Sequence, residues 1–175
     1  MSEYAPGGRP LCAFPFLLTT REVVLSLFLF LLFAGPAGAE KRFVLRVRDW
    51  KTGEVYASAP AEAGDRLFFG WIHSLEKIPW NEYYHISDDG ALVLDAITFP
   101  AFGAGIPENK GKISYVKDGL IHMEDIGQRF EELVWLNSRT ATRDLFLNWR
   151  YFTSGPELPH HVRLRLAVEK NETSP

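Results

Sequence analysis

The feature that most constrains the fold is a period of two in the apolar residues after residue 40. Phe43, Leu45 and Val47 are apolar, whereas Arg46 and Arg48 between and after them are charged. Residues 161–169 repeat this pattern near the other end of the chain. Alternation of this kind is typical of strands with one buried face. After residue 40 no segment sustains a helical period over three turns, although residues 126–136 are compatible with either a short helix or a strand.

Short turn sequences divide the chain into strand-sized pieces. Lys51-Thr52-Gly53, Asp88-Asp89-Gly90 and Asp118-Gly119 each lie between two apolar runs, and such glycine-containing turns are typical of hairpins. Segment 65–74 is apolar on both faces, which predicts a central, covered strand, and segment 59–64 is predicted to be a connection. The pattern predicts an all-β fold: one antiparallel β-sandwich or partly open β-barrel of about 8–10 short strands.

The first 39 residues have the pattern of an export signal. Arg21 precedes the apolar run Val23–Phe33, and Ala34–Ala39 supplies small residues in an A-x-A arrangement. We therefore predict a signal peptide or N-terminal membrane segment at 1–39, an all-β domain at 40–170 and a disordered tail at 171–175. The apolar run is shorter than the ~20 residues that span a bilayer, which favours cleavage over retention at the inner membrane. The predicted location is the periplasm.

Charge and motif content exclude several classes of function. The formal net charge is −3 with scattered basic residues, which does not provide the clustered positive charge that nucleic acids require. The chain has no P-loop, dinucleotide-binding or G-x-S-x-G motif, and its single cysteine, Cys12, precedes the apolar run. We therefore assign no catalytic residue, metal or cofactor, and expect no nucleic acid partner.

The densest group of polar residues follows the predicted central strand, in segment 73–82. His73, Glu76 and Glu82 could supply nitrogen and oxygen ligands to a metal, or a histidine–carboxylate acid–base pair. In the alternative interpretation, His73 and Ser74 close the strand by hydrogen bonding to the backbone, and Glu76 forms a solvated ion pair with Lys77. Loops on a rigid sheet often carry function, so both interpretations stay open.

A second long connection, at 100–111, contains three glycines and two prolines. Glycine permits positive φ and close backbone approach, so this loop could present backbone N–H groups to an anion or partner. The alternative is an ordered turn held by Pro100 and Pro107.

Several side chains outside the loops also bear on function. Asp95 interrupts an apolar face, and we expect a buried carboxylate paired across a strand, for example to an arginine, or else a residue at a rim. His160 and His161 are expected at the surface. Aromatic residues are numerous after residue 40, and any that line a surface groove would favour a protein or small-ligand interface over catalysis. The residues in question are Trp50, Trp80, Tyr83, Tyr84, Trp135, Trp149, Tyr151 and Phe152.

Segments 71–82 and 99–107 together resemble an uncharacterised family of small exported bacterial proteins that are typically encoded beside TAXI-type TRAP transporters. The family pattern is H-S-V-E-K-x-P-x-x-E followed by F-G-A-G-L-P, and Leu75 and Ile106 depart from it conservatively. The matching positions are His73, Ser74, Glu76, Lys77, Pro79, Glu82, Phe102, Gly103, Gly105 and Pro107. The resemblance covers about a third of the predicted domain and implies an accessory role in solute uptake, with the TRAP membrane subunit or the TAXI-type receptor as partner.

These observations favour a non-enzymatic accessory or binding protein of such an uptake system. The predicted binding residues are His73, Ser74, Glu76, Lys77, Glu82, Phe102, Gly103 and Gly105, which would contact a partner or a small carboxylate ligand. The hairpin between the two motif loops is expected to bring them to the same end of a sheet. One alternative is a metal-dependent hydrolase or isomerase using His73, Glu76 and Glu82. In another, both loops serve folding only.

Overall fold

The computed structural model describes residues 43–101, 103 and 110–171. The predicted signal segment and all but the first residue of the predicted tail lie outside these ranges. Within them, no helix is long and apolar enough to cross a membrane.

The described residues form eleven β-strands. These are β1 (Phe43–Asp49), β2 (Val55–Ala61), β3 (Arg66–Ile72), β4 (Pro79–Ile86), β5 (Leu92–Phe99), β6 (Ile113–Lys117), β7 (Leu120–Phe130), β8 (Glu132–Leu136), β9 (Thr142–Leu147), β10 (Arg150–Ser154) and β11 (Arg163–Lys170).

Two antiparallel sheets contain all of these strands. The smaller sheet has the order β2-β1-β11-β8 and the larger has the order β10-β9-β3-β4-β5-β7-β6. Strands account for 63% of the described residues, which include no helix, and the sheets do not close into a barrel. The predicted all-β fold is confirmed, and the arrangement is consistent with the sandwich rather than the barrel.

The structure decides one open alternative and corrects two local predictions. Residues 126–136 form no helix, because β7 continues to Phe130 and β8 follows. The predicted connection 59–64 belongs to β2 as far as Ala61, where small alanines pair with β1. Strand β10 was not predicted, because the turn that creates it, Asn148-Trp149, contains no glycine, although both residues have positive φ, 50° and 62°. Two successive left-handed residues form a type I′ turn, for which glycine and asparagine are preferred.

The hydrophobic core lies between the two sheets. Leu45 and Val47 of β1 and Leu164 and Leu166 of β11 are fully buried on the inner face of the small sheet. Because alternate residues of a strand point to opposite faces, the arginines between them lie on the outer face. Strand β3 lies between β9 and β4, so its predicted central position is confirmed.

A partly buried ion cluster joins β1 to β11 on the outer face of the small sheet. Arg48 donates to both carboxylate oxygens of Glu169, at 2.8 and 2.7 Å, and Arg46 donates to one of them. Partial burial alone would raise the pKa of Glu169, but hydrogen bonds from Arg48 and Arg46 outweigh it, so the pKa lies below its ordinary value. The charged form of Glu169 therefore stabilises the pairing of the two ends of the domain.

We expect Glu169→Gln to reduce the free energy of unfolding by about 1–2 kcal/mol at pH 7, since hydrogen bonds to charged groups contribute at this level. Because the pKa of Glu169 is lowered in the folded state, its charge stabilises the fold at pH values above the unfolded-state pKa of about 4.3. This contribution is lost as the pH falls through the folded-state pKa. Urea denaturation at pH 7, 5 and 3 should show wild type and variant converging at low pH. A difference that stays constant with pH would contradict the assignment.

Candidate functional site

The first motif segment forms the hairpin turn between β3 and β4. The N–H of His73 donates to the carbonyl of Ile78 and the N–H of Lys77 donates to the carbonyl of His73, each at 2.9 Å. Lys77 has a φ of 56°, which reverses the chain direction. The turn leaves Ser74, Leu75 and Lys77 exposed at its tip.

His73 lies at the base of this hairpin and is only 8% exposed. Its ring lies 5.7 Å from the rings of both Trp71 and Trp80, and Trp80 stacks on Phe99 at 4.8 Å. The backbone N–H of Glu76 donates to Nδ1 of His73 at 3.4 Å. These contacts show that His73 supports the hairpin, which agrees with the backbone-closing interpretation for this residue.

Glu82 lies on the inner face of β4, half-buried at the edge of the core. Its carboxylate accepts from Nε1 of Trp80 at 3.2 Å and from the hydroxyl of Tyr84 at 2.6 Å. Burial, followed by the neighbouring Glu82 charge, raises the pKa of the Tyr84 hydroxyl far above its ordinary value, so it remains a donor. Beside Glu82 an inter-sheet cavity of about 510 Å³ opens, lined in part by Trp71 and Trp135.

The second motif segment reaches the first through Gly103. An added Cβ on Gly103 would lie 2.7 Å from both Cγ and Oε1 of Glu76, much closer than real Cβ contacts allow. Gly103 therefore packs directly on the Glu76 side chain, and a side chain at position 103 would have to displace the end of Glu76. Phe102 and Gly105 lie outside the described residues. The structure thus brings the first loop and Gly103 together, as expected for two loops at the same end of the sheet.

The proposed metal set is not assembled in this geometry. Across residues 43–101, 103 and 110–171, no group of three or more His, Cys, Asp or Glu side chains could hold a metal ion. Glu82 is directed to Trp80 and Tyr84, whereas Nδ1 of His73 faces the Glu76 backbone. In this arrangement the His73 ring and the Glu82 carboxylate make their hydrogen bonds within the domain.

Asp95 is paired across a strand, as expected, but it is about half-exposed rather than buried and its partner is not an arginine. Its side chain is about half-exposed, and it accepts from a histidine, with Nδ1 of His85 at 2.8 and 3.0 Å from its two oxygens. The pairing of β5 shifts at Asp95 against both β4 and β7, so the residue lies in a β-bulge. Bulges redirect side chains and occur frequently beside functional sites. Sequence reasoning missed His85, whose only signal was its place on the opposite face of β4 from Glu82.

Comparison with known proteins gives a family match over part of the chain. Residues 68–152 match DUF1850, a domain of unknown function. The DUF1850 match begins in β3, ends in β10 and contains both motif segments, so it corresponds mainly to the larger sheet. The prediction of an uncharacterised family is thereby confirmed for this segment. No curated protein and no solved structure matches the chain.

Proposed function

We propose that this chain is a periplasmic, non-enzymatic accessory protein of a TAXI-type TRAP uptake system. The β3–β4 turn and Gly103 would form its contact surface for the TRAP membrane subunit or the solute receptor. The observation that carries the proposal is the packing of Gly103 on Glu76, which joins two segments distant in sequence into one surface. The link to a TRAP transporter rests on the motif resemblance.

The exposed tip of the β3–β4 turn has the composition of a contact surface. Leu75 is 66% exposed, which is unusual for a large apolar side chain, and Ser74 and Lys77 beside it are also exposed. An apolar centre surrounded by polar groups is the usual anatomy of a protein–protein interface. The hydrogen bonds at its base hold this tip in a fixed conformation, which lowers the entropic cost of binding.

A protein partner fits this surface better than a small carboxylate does. Segment 73–82 contains the carboxylates Glu76 and Glu82 against a single cation, Lys77. A carboxylate ligand brought to this segment would meet charges of its own sign, which is unfavourable. A partner that covers Leu75 needs no such charge match.

The test uses the full-length chain, tagged and exported, in cells that lack the native copy. We expect wild type to co-purify with the TAXI receptor or TRAP membrane subunit, identified by mass spectrometry, and to restore solute uptake. Leu75→Asp and Gly103→Val, one in each motif segment, should each weaken recovery about tenfold, because central interface residues carry most of the binding free energy. Val116→Asp is the matched control, since Val116 is 71% exposed on β6.

Three results would overturn the proposal. The first is that wild type recovers neither transporter component. The second is that recovery is lost with Val116→Asp as readily as with Leu75→Asp. The third is that both motif variants lower the melting temperature yet leave uptake unchanged at matched abundance, which would make the loops folding determinants only.

A further inference from the structure

A large cleft lies on the outer face of the larger sheet. Its volume is about 680 Å³, and strands β3, β4, β5 and β7 form its floor, with the β9–β10 turn at one side. Tyr83, Tyr84 and His85 of β4 line it. None of the described lining residues belongs to the β3–β4 turn or is Gly103, and of them Tyr84 alone also lines the inter-sheet cavity.

Aromatic rings form one wall of this cleft. Tyr83 lies 5.3 Å from Phe68 and 6.4 Å from Trp149, measured between ring centroids. Trp149 is 67% exposed, although it occupies a left-handed position that bulky residues rarely adopt. The adjacent Asn148 fixes the turn, because its Oδ1 accepts from the N–H of Arg66 at 2.9 Å and its Nδ2 donates to Asp65 at 2.7 Å. The structure thus holds a large aromatic side chain in solvent beside the cleft.

Hydrogen-bond acceptors form the opposite wall. Nδ1 of His85 lies 2.8 and 3.0 Å from the two oxygens of the Asp95 carboxylate, which holds that carboxylate at the cleft. Glu124 adds a carboxylate whose Oε1 accepts from the Tyr115 hydroxyl at 2.6 Å.

The charges of the lining residues determine whether the cleft favours a cationic or an anionic ligand. Among the described residues that line the cleft, Asp95, Glu124 and Asp125 are carboxylates, and Arg66 is the only lysine or arginine. Lys112, outside the lining, pairs with Asp125 at 2.9 Å. The three carboxylates outnumber Arg66 and Lys112 together, so the cleft favours a cation over an anion.

We infer that this cleft binds a small organic cation with a protonated amine. The ammonium group would lie over the faces of Tyr83 and Trp149, since cations bind aromatic faces within about 6 Å of the ring centroid. Its N–H groups would donate to the carboxylates of Asp95 and Glu124. A neutral alcohol would lose the charge attraction, and a carboxylate would be repelled.

The experiment titrates the full-length protein with butylammonium chloride, followed by tryptophan fluorescence and by chemical shifts of the His85 and Trp149 side chains. Butanol and sodium butyrate are matched neutral and anionic probes, and sodium chloride controls for ionic strength. We expect saturable binding of butylammonium alone, weakened at least about threefold by Trp149→Ala, in line with an exposed cation–π contact. Asp95→Asn, which keeps the side-chain shape, should weaken it by a similar or larger factor.

Trp50→Ala is the matched control, because Trp50 is also exposed but lies after β1, outside the cleft lining. Binding of butylammonium by this variant should equal that of wild type. The inference fails if no saturable binding is seen up to about 50 mM, well above the millimolar dissociation constants of weak ligands. It also fails if butanol or butyrate binds as tightly, or if Trp149→Ala and Asp95→Asn have no effect. None of these results bears on the motif surface, so this inference and the proposed transporter role are tested separately.

Discussion

Asn137→Ala is expected to lower the free energy of unfolding by about 3 kcal/mol. Asn137 follows β8 and is completely buried. Its Nδ2 donates to the carbonyl oxygens of Gly155, Leu158 and Pro159, at 3.0, 3.2 and 3.0 Å. Alanine would leave these acceptors without a donor in the interior, and each unsatisfied buried group costs about 1–3 kcal/mol. The segment between β10 and β11 would lose its main polar anchor.

Urea denaturation of Asn137→Ala beside Asn81→Ala provides the measurement. Asn81 is a suitable control because its Nδ2 makes one hydrogen bond, to Thr98 at 3.1 Å, from a half-buried position that water can reach. We expect the control to cost about 1 kcal/mol, the usual contribution of a neutral hydrogen bond. Equal losses in the two variants would show that the Asn137 contacts are not a principal source of stability.

Gly155→Ala should destabilise the fold by about 3 kcal/mol or more, near the upper end for overpacking a rigid site. A Cβ at this position would overlap the carbonyl oxygen of Thr142 and lie 2.9 Å from that of Ser138. Both are backbone atoms, Ser138 in the β8–β9 connection and Thr142 at the start of β9, so neither can rotate aside as a side-chain end would. The N–H of Gly155 also donates to the carbonyl of Arg143 at 3.1 Å, which limits retreat of the chain.

Gly53→Ala separates this steric effect from the backbone penalty of replacing a glycine that has a positive φ. Gly53 has a φ of 78°, but an added Cβ there would meet nothing within 4 Å. Its cost should be about 1–2 kcal/mol, which is the backbone penalty for a left-handed residue with a side chain. Thermal unfolding of both variants would test the comparison. If Gly155→Ala is no less stable than Gly53→Ala, the close backbone approach around Gly155 is relieved by a shift of the chain.

The sequence predicts which segments form the candidate site, but it does not predict in detail how those segments contact each other. The turn that presents Leu75 follows from a buried strand, a polar interruption and a second strand, all visible in the sequence. The contact of Gly103 with Glu76 depends on how the returning hairpin is oriented, and the sequence supports only the weaker expectation that both loops share an end of the sheet. The pairing of His85 with Asp95 was not predicted, because it requires a bulge that shifts the register of β5.

The sequence alone determined the local structure of the chain, its strands and its turns. The period of two and the glycine-containing turns specified an all-β chain, because each strand must bury one face and each hairpin must reverse within a few residues. Only the tertiary structure decided which strands share a sheet. Strands β1 and β11 pair although Phe43 and Lys170 lie at opposite ends of the described chain, and side-chain periodicity does not encode such a partner. Asn137, Gly155 and the outer-face cleft gain their roles from contacts between distant segments, which exist only once the sheets have formed.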